Sequence, residues 1–177
     1  NQSTCCHPAE NVAWWRMGAR YWLEHNGLPS WVWNAGSTES GSDIYARPLF
    51  ADYHGSDIYI SHHTNAGGGG TANGTITFRD TQMNHPEHEA ASYTLALSIQ
   101  NSIVDAIRES YDGGWYDRGV GDSQGGFGEI RIPDRPACLI ELAFHDNCSR
   151  DALYLVDNFF RSLSEWAVYK GICDYYG

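Results

Sequence analysis

One lysine, two methionines and not a single Cys-x-x-Cys pair occur in these 177 residues. Each scarcity closes off a class of protein. Lys170 is the lone lysine, the other ten cations are arginine, and the formal charge is −11. No basic stripe is available to neutralise phosphates, so a nucleic-acid partner is excluded. Without Cys-x-x-Cys spacing there is no zinc ribbon. No apolar run approaches the roughly 18 residues of a membrane span. Internal repeats are lacking, and the only low-complexity tract is Gly67–Gly70. The chain opens Asn-Gln-Ser-Thr, with neither Met nor an apolar signal core, and this start reads as a processed or trimmed end.

What is present fits one globular domain over residues 1–177, long enough to bury a core. Hydrophobic content is an ordinary 42%, while aromatics reach 14% and include seven tryptophans. The five cysteines are an odd number, so at least one thiol is free or bonds outside the chain. Cys138 sits in an apolar run and reads as a buried thiol. Cys148 and Cys173 bracket the last helix and could pair in a secreted protein.

Periodicity predicts a helix over 10–26, ended by Gly27, and a short strand around Trp31-Val-Trp33. A Gly/Ser/Thr-rich loop (35–43) and a helix (44–54) lead into a strand over 57–62. Thr75–Phe78 alternates as a strand. A long helix over 86–109 has Leu95, Ile99, Ile103 and Ala106 as its buried stripe. The Gly/Asp-rich stretch 110–126 reads as a loop, and 127–131 and 136–142 as strands. The closing helix, 149–172, is capped by Ser149 and sets Ala152, Val156, Phe159, Leu163 and Trp166 on one face. Alternating strands and helices predict an α/β sandwich with a mostly parallel sheet.

Two of the strands end on groups that bind metals or move protons. Residues 57–66 deliver His63 to a strand tip, on the face shared by Tyr59 and Ser61, with His62 on the other. Pro136–Glu141 delivers a carboxylate to a second tip. Chemistry in open α/β sheets gathers beyond the carboxyl ends of strands. An imidazole and a carboxylate there suggest metal-assisted hydrolysis. Glu141 reads either as a salt-bridge partner of Arg131 or Arg135, or as a general base whose pKa is raised by burial. Glu10 begins the first helix, where the macrodipole alone would account for it. His7, three residues earlier, makes a local two-ligand site conceivable. His62 reads as structural or as a support behind a neighbouring ligand, His85 and His88 as solvent-facing, and His145 as a loop residue within reach of substrate.

Several spaced motifs, in order, closely resemble the zinc-dependent N-acetylmuramoyl-L-alanine amidases, amidase type 3. The family's Asp-Leu-Phe-Ile-Ser-Ile-His-Ala-Asn-Ala appears here as Asp57–Ala66, with Arg47 matching the arginine that precedes it. Asp117-Arg-Gly-Val120 is similar to the family's Asp-Arg-Gly-Val. Phe127-Gly-Glu-Ile-Arg131 falls where the family has Leu-x-Val-Leu-Arg. Pro136–Phe144 with Asn147 resembles Pro-Ala-Val-Leu-Val-Glu-x-Gly-Phe-x-x-Asn, and residues 168–176 its final helix. The resemblance implies a twisted sheet with helices on both faces. It implies Zn²⁺ as cofactor, Glu10 and His63 as zinc ligands, and Glu141 as the catalytic glutamate. The implied substrate is peptidoglycan, cut between the lactyl group of N-acetylmuramic acid and L-alanine, in a periplasmic or secreted setting. Loops 64–73 and 111–126 would line the groove, with Trp115 or Tyr116 stacking on sugars.

One departure stands out. The family's first zinc histidine, in Asp-Pro-Gly-His-Gly-Gly, has no counterpart here. An associated or missing upstream segment explains this better than substitution by His7, because a sheet lacking a central strand would expose unpaired edges. Cys5 or Cys6 could tether such a peptide. The rival readings are a zinc peptidase or carboxypeptidase on cell-wall peptides, and a non-catalytic wall-binding protein with an incomplete metal site.

Overall fold

The computed structural model describes residues 18–177. Among these residues four strands form one sheet: β1 (Tyr59–Asn65), β2 (Thr75–Arg79), β3 (Asp117–Asp122) and β4 (Ala137–Phe144), in the order β1-β4-β2-β3. The β1–β4 and β2–β3 pairings are parallel and β2–β4 is antiparallel, so the sheet is mostly parallel, as expected. Among the described residues seven helices surround it: α1 (Ala19–His25), α2 (Ser30–Trp33), α3 (Glu39–His54), α4 (Glu89–Ser110), α5 (Gly128–Arg131), α6 (Asp151–Leu155) and α7 (Asn158–Tyr176). None of the described helices is long and apolar enough to cross a membrane.

Side-chain alternation along β4 splits the core between two faces. Cys138, Ile140 and Leu142 join Ile58 and Ile60 of the β1 segment in the larger core under α4 and α7. Leu95, Ile99, Ile103 and Ala106 of α4 are buried there, as the helical period predicts. On the opposite face, Ala137 and Leu139 pack with Ile130, Met83, Tyr59 and Phe127 beneath α5. A third small core, Leu23, Val32 and Ala46, unites α1, α2 and α3.

Several elements differ from expectation, each for a physical reason. Trp31-Val-Trp33 is a helical turn, since Val32 fills the small core and Pro29 accepts its N–H. Residues 127–131 form the turn of α5. Gly128 lies so close to Tyr45 that an added Cβ would come within 2.5 Å of its ring. Asp117–Asp122, placed in a loop by composition, is an edge strand; glycine and charge suit an edge better than an interior position. The closing helix breaks before Asp157, whose side chain accepts the Phe160 N–H and starts α7 afresh. Val156, Phe159 and Trp166, the expected apolar face, are exposed, and Phe160, Ser164, Ala167, Val168 and Gly171 face inward instead. Cys148 and Cys173 are both free, so the bracketing disulfide is not formed.

Polar locks hold the layers in place. Gln100 of α4 is buried; it accepts the Thr77 hydroxyl at 2.9 Å and donates to the Thr75 carbonyl at 3.0 Å. Asp112, after α4, accepts two bonds from Arg150 (2.7 and 3.2 Å) and one from the Tyr154 hydroxyl. The Arg150 hydrogen bond holds the Asp112 carboxyl below the usual carboxylate range, against the upward push of burial.

Two outcomes follow for stability. Gly171 packs α7 onto α4, and an added Cβ would fall 2.7 Å from the Ile99 Cα. Gly171→Val should therefore destabilise by about 1–3 kcal/mol in urea unfolding. The lowered pKa of Asp112 means its stabilisation is present above the unfolded carboxylate value of about 3.9 and disappears as pH falls through the folded one. The melting-temperature gap between the native chain and Asp112→Asn should hold from neutral pH to about pH 4, then close in stronger acid.

Candidate active site

The parallel pairing of β1 with β4 aligns His63 with Glu141, so the two share one face at the carboxyl ends of neighbouring strands. That face is the one covered by α5, not by α4 and α7. Glu141 sits half-buried, and its Oε2 is enclosed with no hydrogen-bond partner among the described residues. Burial pushes its carboxyl above the usual range, while His63 and His145 pull it back. The salt bridge to Arg131 or Arg135 is not made. Arg135 binds Asp52, and Arg131 donates to Asn84 and Tyr45.

His63 is held from below. Its Nε2 lies 2.8 Å from Glu129 Oε2 and 2.8 Å from Ser61 Oγ. Sequence reasoning missed Glu129, because a strand over 127–131 gives no reason to aim it at His63. The α5 turn rotates it inward, where it is only 6% exposed. Its Oε1 accepts Arg47 at 2.8 Å and the Tyr59 hydroxyl at 3.4 Å. Arg47, on α3, also binds Asp43 at 2.9 Å. Burial drives the Glu129 carboxyl up, yet His63 and Arg47 together leave it below the ordinary range. The bond to Glu129 lifts the His63 imidazole above its usual value against burial. A signal for Glu129 was present: an acidic residue stands where the resembled motif is apolar.

The other candidates spread out. His62 points to the opposite face and pairs with Glu165 through Nδ1 at 3.1 Å. A cavity of about 740 Å³ opens there, lined by His62, His63, Leu142, Leu155, Arg161 and Glu165. It shares His63 with the carboxylate site but lies chiefly on the α7 side. The His145 Nδ1 meets the Thr64 hydroxyl at 3.0 Å. Trp115 cannot stack on a sugar, since it is 1% exposed and donates its indole N–H to Thr75. Tyr116 is exposed. Glu10 and His7 lie outside the described residues, as do Cys5 and Cys6.

The donor types around His63 suit a divalent ion: one imidazole, and a carboxylate oxygen enclosed without a partner among the described residues. Among the described residues, the one grouping with three potential ligand atoms mutually within 4.8 Å is His85, Glu87 and Asp134. It is a surface cluster before β4, at the opposite end of that strand from Glu141.

Arg47 is the cation that makes a buried Glu129 tolerable. Arg47→Met should destabilise by about 1–3 kcal/mol, because a buried carboxylate loses a charged donor. Adding Glu129→Val to that variant should recover part of the loss, a non-additivity readable by a double-mutant cycle in urea. Simple additivity would show that the two residues are not coupled.

The family model for N-acetylmuramoyl-L-alanine amidase matches residues 19–174, a span that begins after Glu10. The N-acetylmuramoyl-L-alanine amidase LytC of Bacillus subtilis (strain 168) is 31% identical over 120 residues, 68% of this chain and 22% of LytC. The chain thus spans under a quarter of that relative's length. Among solved structures, an N-acetylmuramoyl-L-alanine amidase from Clostridium difficile 630 superposes with a TM-score of 0.64 at 23% identity, covering 78% of this chain and 69% of that one. The catalytic domain of CwlV from Bacillus (Paenibacillus) polymyxa var. colistinus gives 0.63 at 22% identity, covering 91% and 80%. These structural likenesses establish the fold, and the match over 19–174 establishes that the chain belongs to the N-acetylmuramoyl-L-alanine amidase family.

Proposed function

We propose that this chain is a zinc-dependent hydrolase of peptidoglycan, cutting the amide between the lactyl group of N-acetylmuramic acid and L-alanine. The observation that carries the reading is the enclosed Oε2 of Glu141, without a hydrogen-bond partner among the described residues, beside His63 toward the carboxyl ends of two paired strands. A carboxylate is costly to bury without a partner, and a site that keeps one has a use for it.

In this reading His63 and Glu10 hold the metal, with one further histidine completing the set. Bound there, zinc would supply an acidified water and a polarised carbonyl. Glu141 takes a proton from the attacking water and delivers it to the leaving nitrogen of L-alanine as the C–N bond breaks. Its raised pKa suits both halves of that transfer. The exposed ring of Tyr116 offers a stacking surface for a glycan. Action on peptidoglycan places the protein outside the cytoplasm, periplasmic or secreted.

Purified sacculi give the test. Glu141→Gln should lower turnover by about 10²–10⁴-fold with little change in fold by circular dichroism. Native protein should release whole stem peptides beginning with L-alanine. Trimmed peptides would indicate a peptidase instead, and full turnover by Glu141→Gln would remove Glu141 from the mechanism.

A further inference from the structure

The Glu129 side chain contributes something that neither the family match nor the proposed reaction calls for. The resembled motif, Leu-x-Val-Leu-Arg, is apolar at the position that Glu129 occupies. A buried acid in place of an apolar residue is destabilising unless its oxygens are satisfied. Here they are: Oε1 receives Arg47 and Tyr59, and Oε2 meets His63 Nε2 at 2.8 Å. The bidding of so many donors for one carboxylate fixes its chemical form. With the Arg47 guanidinium 2.8 Å away, Glu129 is an anion, and an ionised carboxylate can only accept hydrogen bonds.

It follows that the proton of the Glu129–His63 contact belongs to His63 Nε2. In the neutral ring the lone pair then resides on Nδ1. Ser61 Oγ, 2.8 Å from the same nitrogen, fits this assignment, because a hydroxyl oxygen accepts as readily as it donates. We propose that Glu129 is a positioning residue that fixes the tautomer and ring orientation of His63, so that Nδ1 is the nitrogen offered to the metal. The inference rests on the reading that His63 is a ligand. Carboxylates that accept the second N–H of a metal-binding histidine orient the ring and raise its basicity. Arg47 and Tyr59 in turn hold Glu129, so the orientation of His63 is fixed through α3 and α5 as well as through its own strand.

Ring-nitrogen NMR on protein with isotopically labelled histidine tests this, first metal-free at a pH where the ring is neutral, then with cadmium as a spin-active probe. The native chain should show His63 protonated at Nε2, and cadmium should couple to Nδ1. Glu129→Val should scramble the tautomer and weaken cadmium binding about 10–100-fold. Glu129→Asp, which keeps a carboxylate facing the ring, should keep the tautomer. This second variant guards against a merely structural effect, since both substitutions disturb the packing of the side chain but only one removes the acceptor. A proton on Nδ1 in the native chain, coupling at Nε2, or an unchanged tautomer in Glu129→Val would overturn the proposal. If the native chain binds no cadmium, the metal-dependent function fails, and the metal-free tautomer still decides the role of Glu129.

Discussion

The register of β1 on β4 is the constraint on which everything else in this molecule depends. The Tyr59 N–H bonds to the Pro136 carbonyl, and from there the strands run in step until His63 lies beside Glu141. Because side chains alternate with a period of two, a slip of one residue would exchange the two faces of β1. His62 would then meet the carboxylates, and Ile58 and Ile60 would leave the core under α4 and α7. Hydrophobic burial on one face thus fixes the chemistry on the other. The apolar pattern of β1 and β4 is the means by which an imidazole and a carboxylate, far apart in sequence, share one rim.

The loops beyond that rim are secured by acidic side chains acting as staples. Asp151 is fully buried, and its Oδ2 accepts the N–H groups of both Gly74 and Phe144. One carboxylate thereby joins the start of β2 to the end of β4. Asp146 accepts from Gly67 at 2.9 Å, and Asn147 donates to the Ala72 carbonyl, so the glycine turn after β1 is tied to the segment after β4. Satisfying backbone donors in this way lets loops of glycine and asparagine stay ordered near a site that must remain open. The acidic composition is therefore partly structural: several of the 22 acids are internal acceptors and not a solvated coat.

Where the sequence was legible, hydrophobic burial wrote the pattern. The stripe of α4 and the tips of β1 and β4 follow from periods of 3.6 and 2, and so did the two residues they place at the rim. Where it was not, tertiary packing overrode local preference. Trp31-Val-Trp33 looks like a strand, but one buried valine in a three-helix cluster decides its form. Asp117–Asp122 carries too little apolar signal to be read as a strand, because an edge needs backbone pairing more than burial. The closing helix was misread by phase: its aromatic residues look like a core face, but Asp157 restarts the helix and turns Phe160 inward while Phe159 faces solvent.

Glu129 shows why the site itself was only half legible. A strand over 127–131 gave Glu129 no role, and the resembled motif has an apolar residue at its position. Its meaning depends on three partners contributed by two other elements, Arg47 on α3 and Tyr59 and His63 on β1. No local rule connects positions so widely separated. Yet the conflict was visible, since a charged residue interrupts an apolar motif beside an isoleucine destined for the core. Sequences usually agree with their fold at every level, and the places where they do not are where function has been built in. By that logic an acid that contradicts its local pattern, and is then fully satisfied by distant partners, marks the site more specifically than a residue that merely fits.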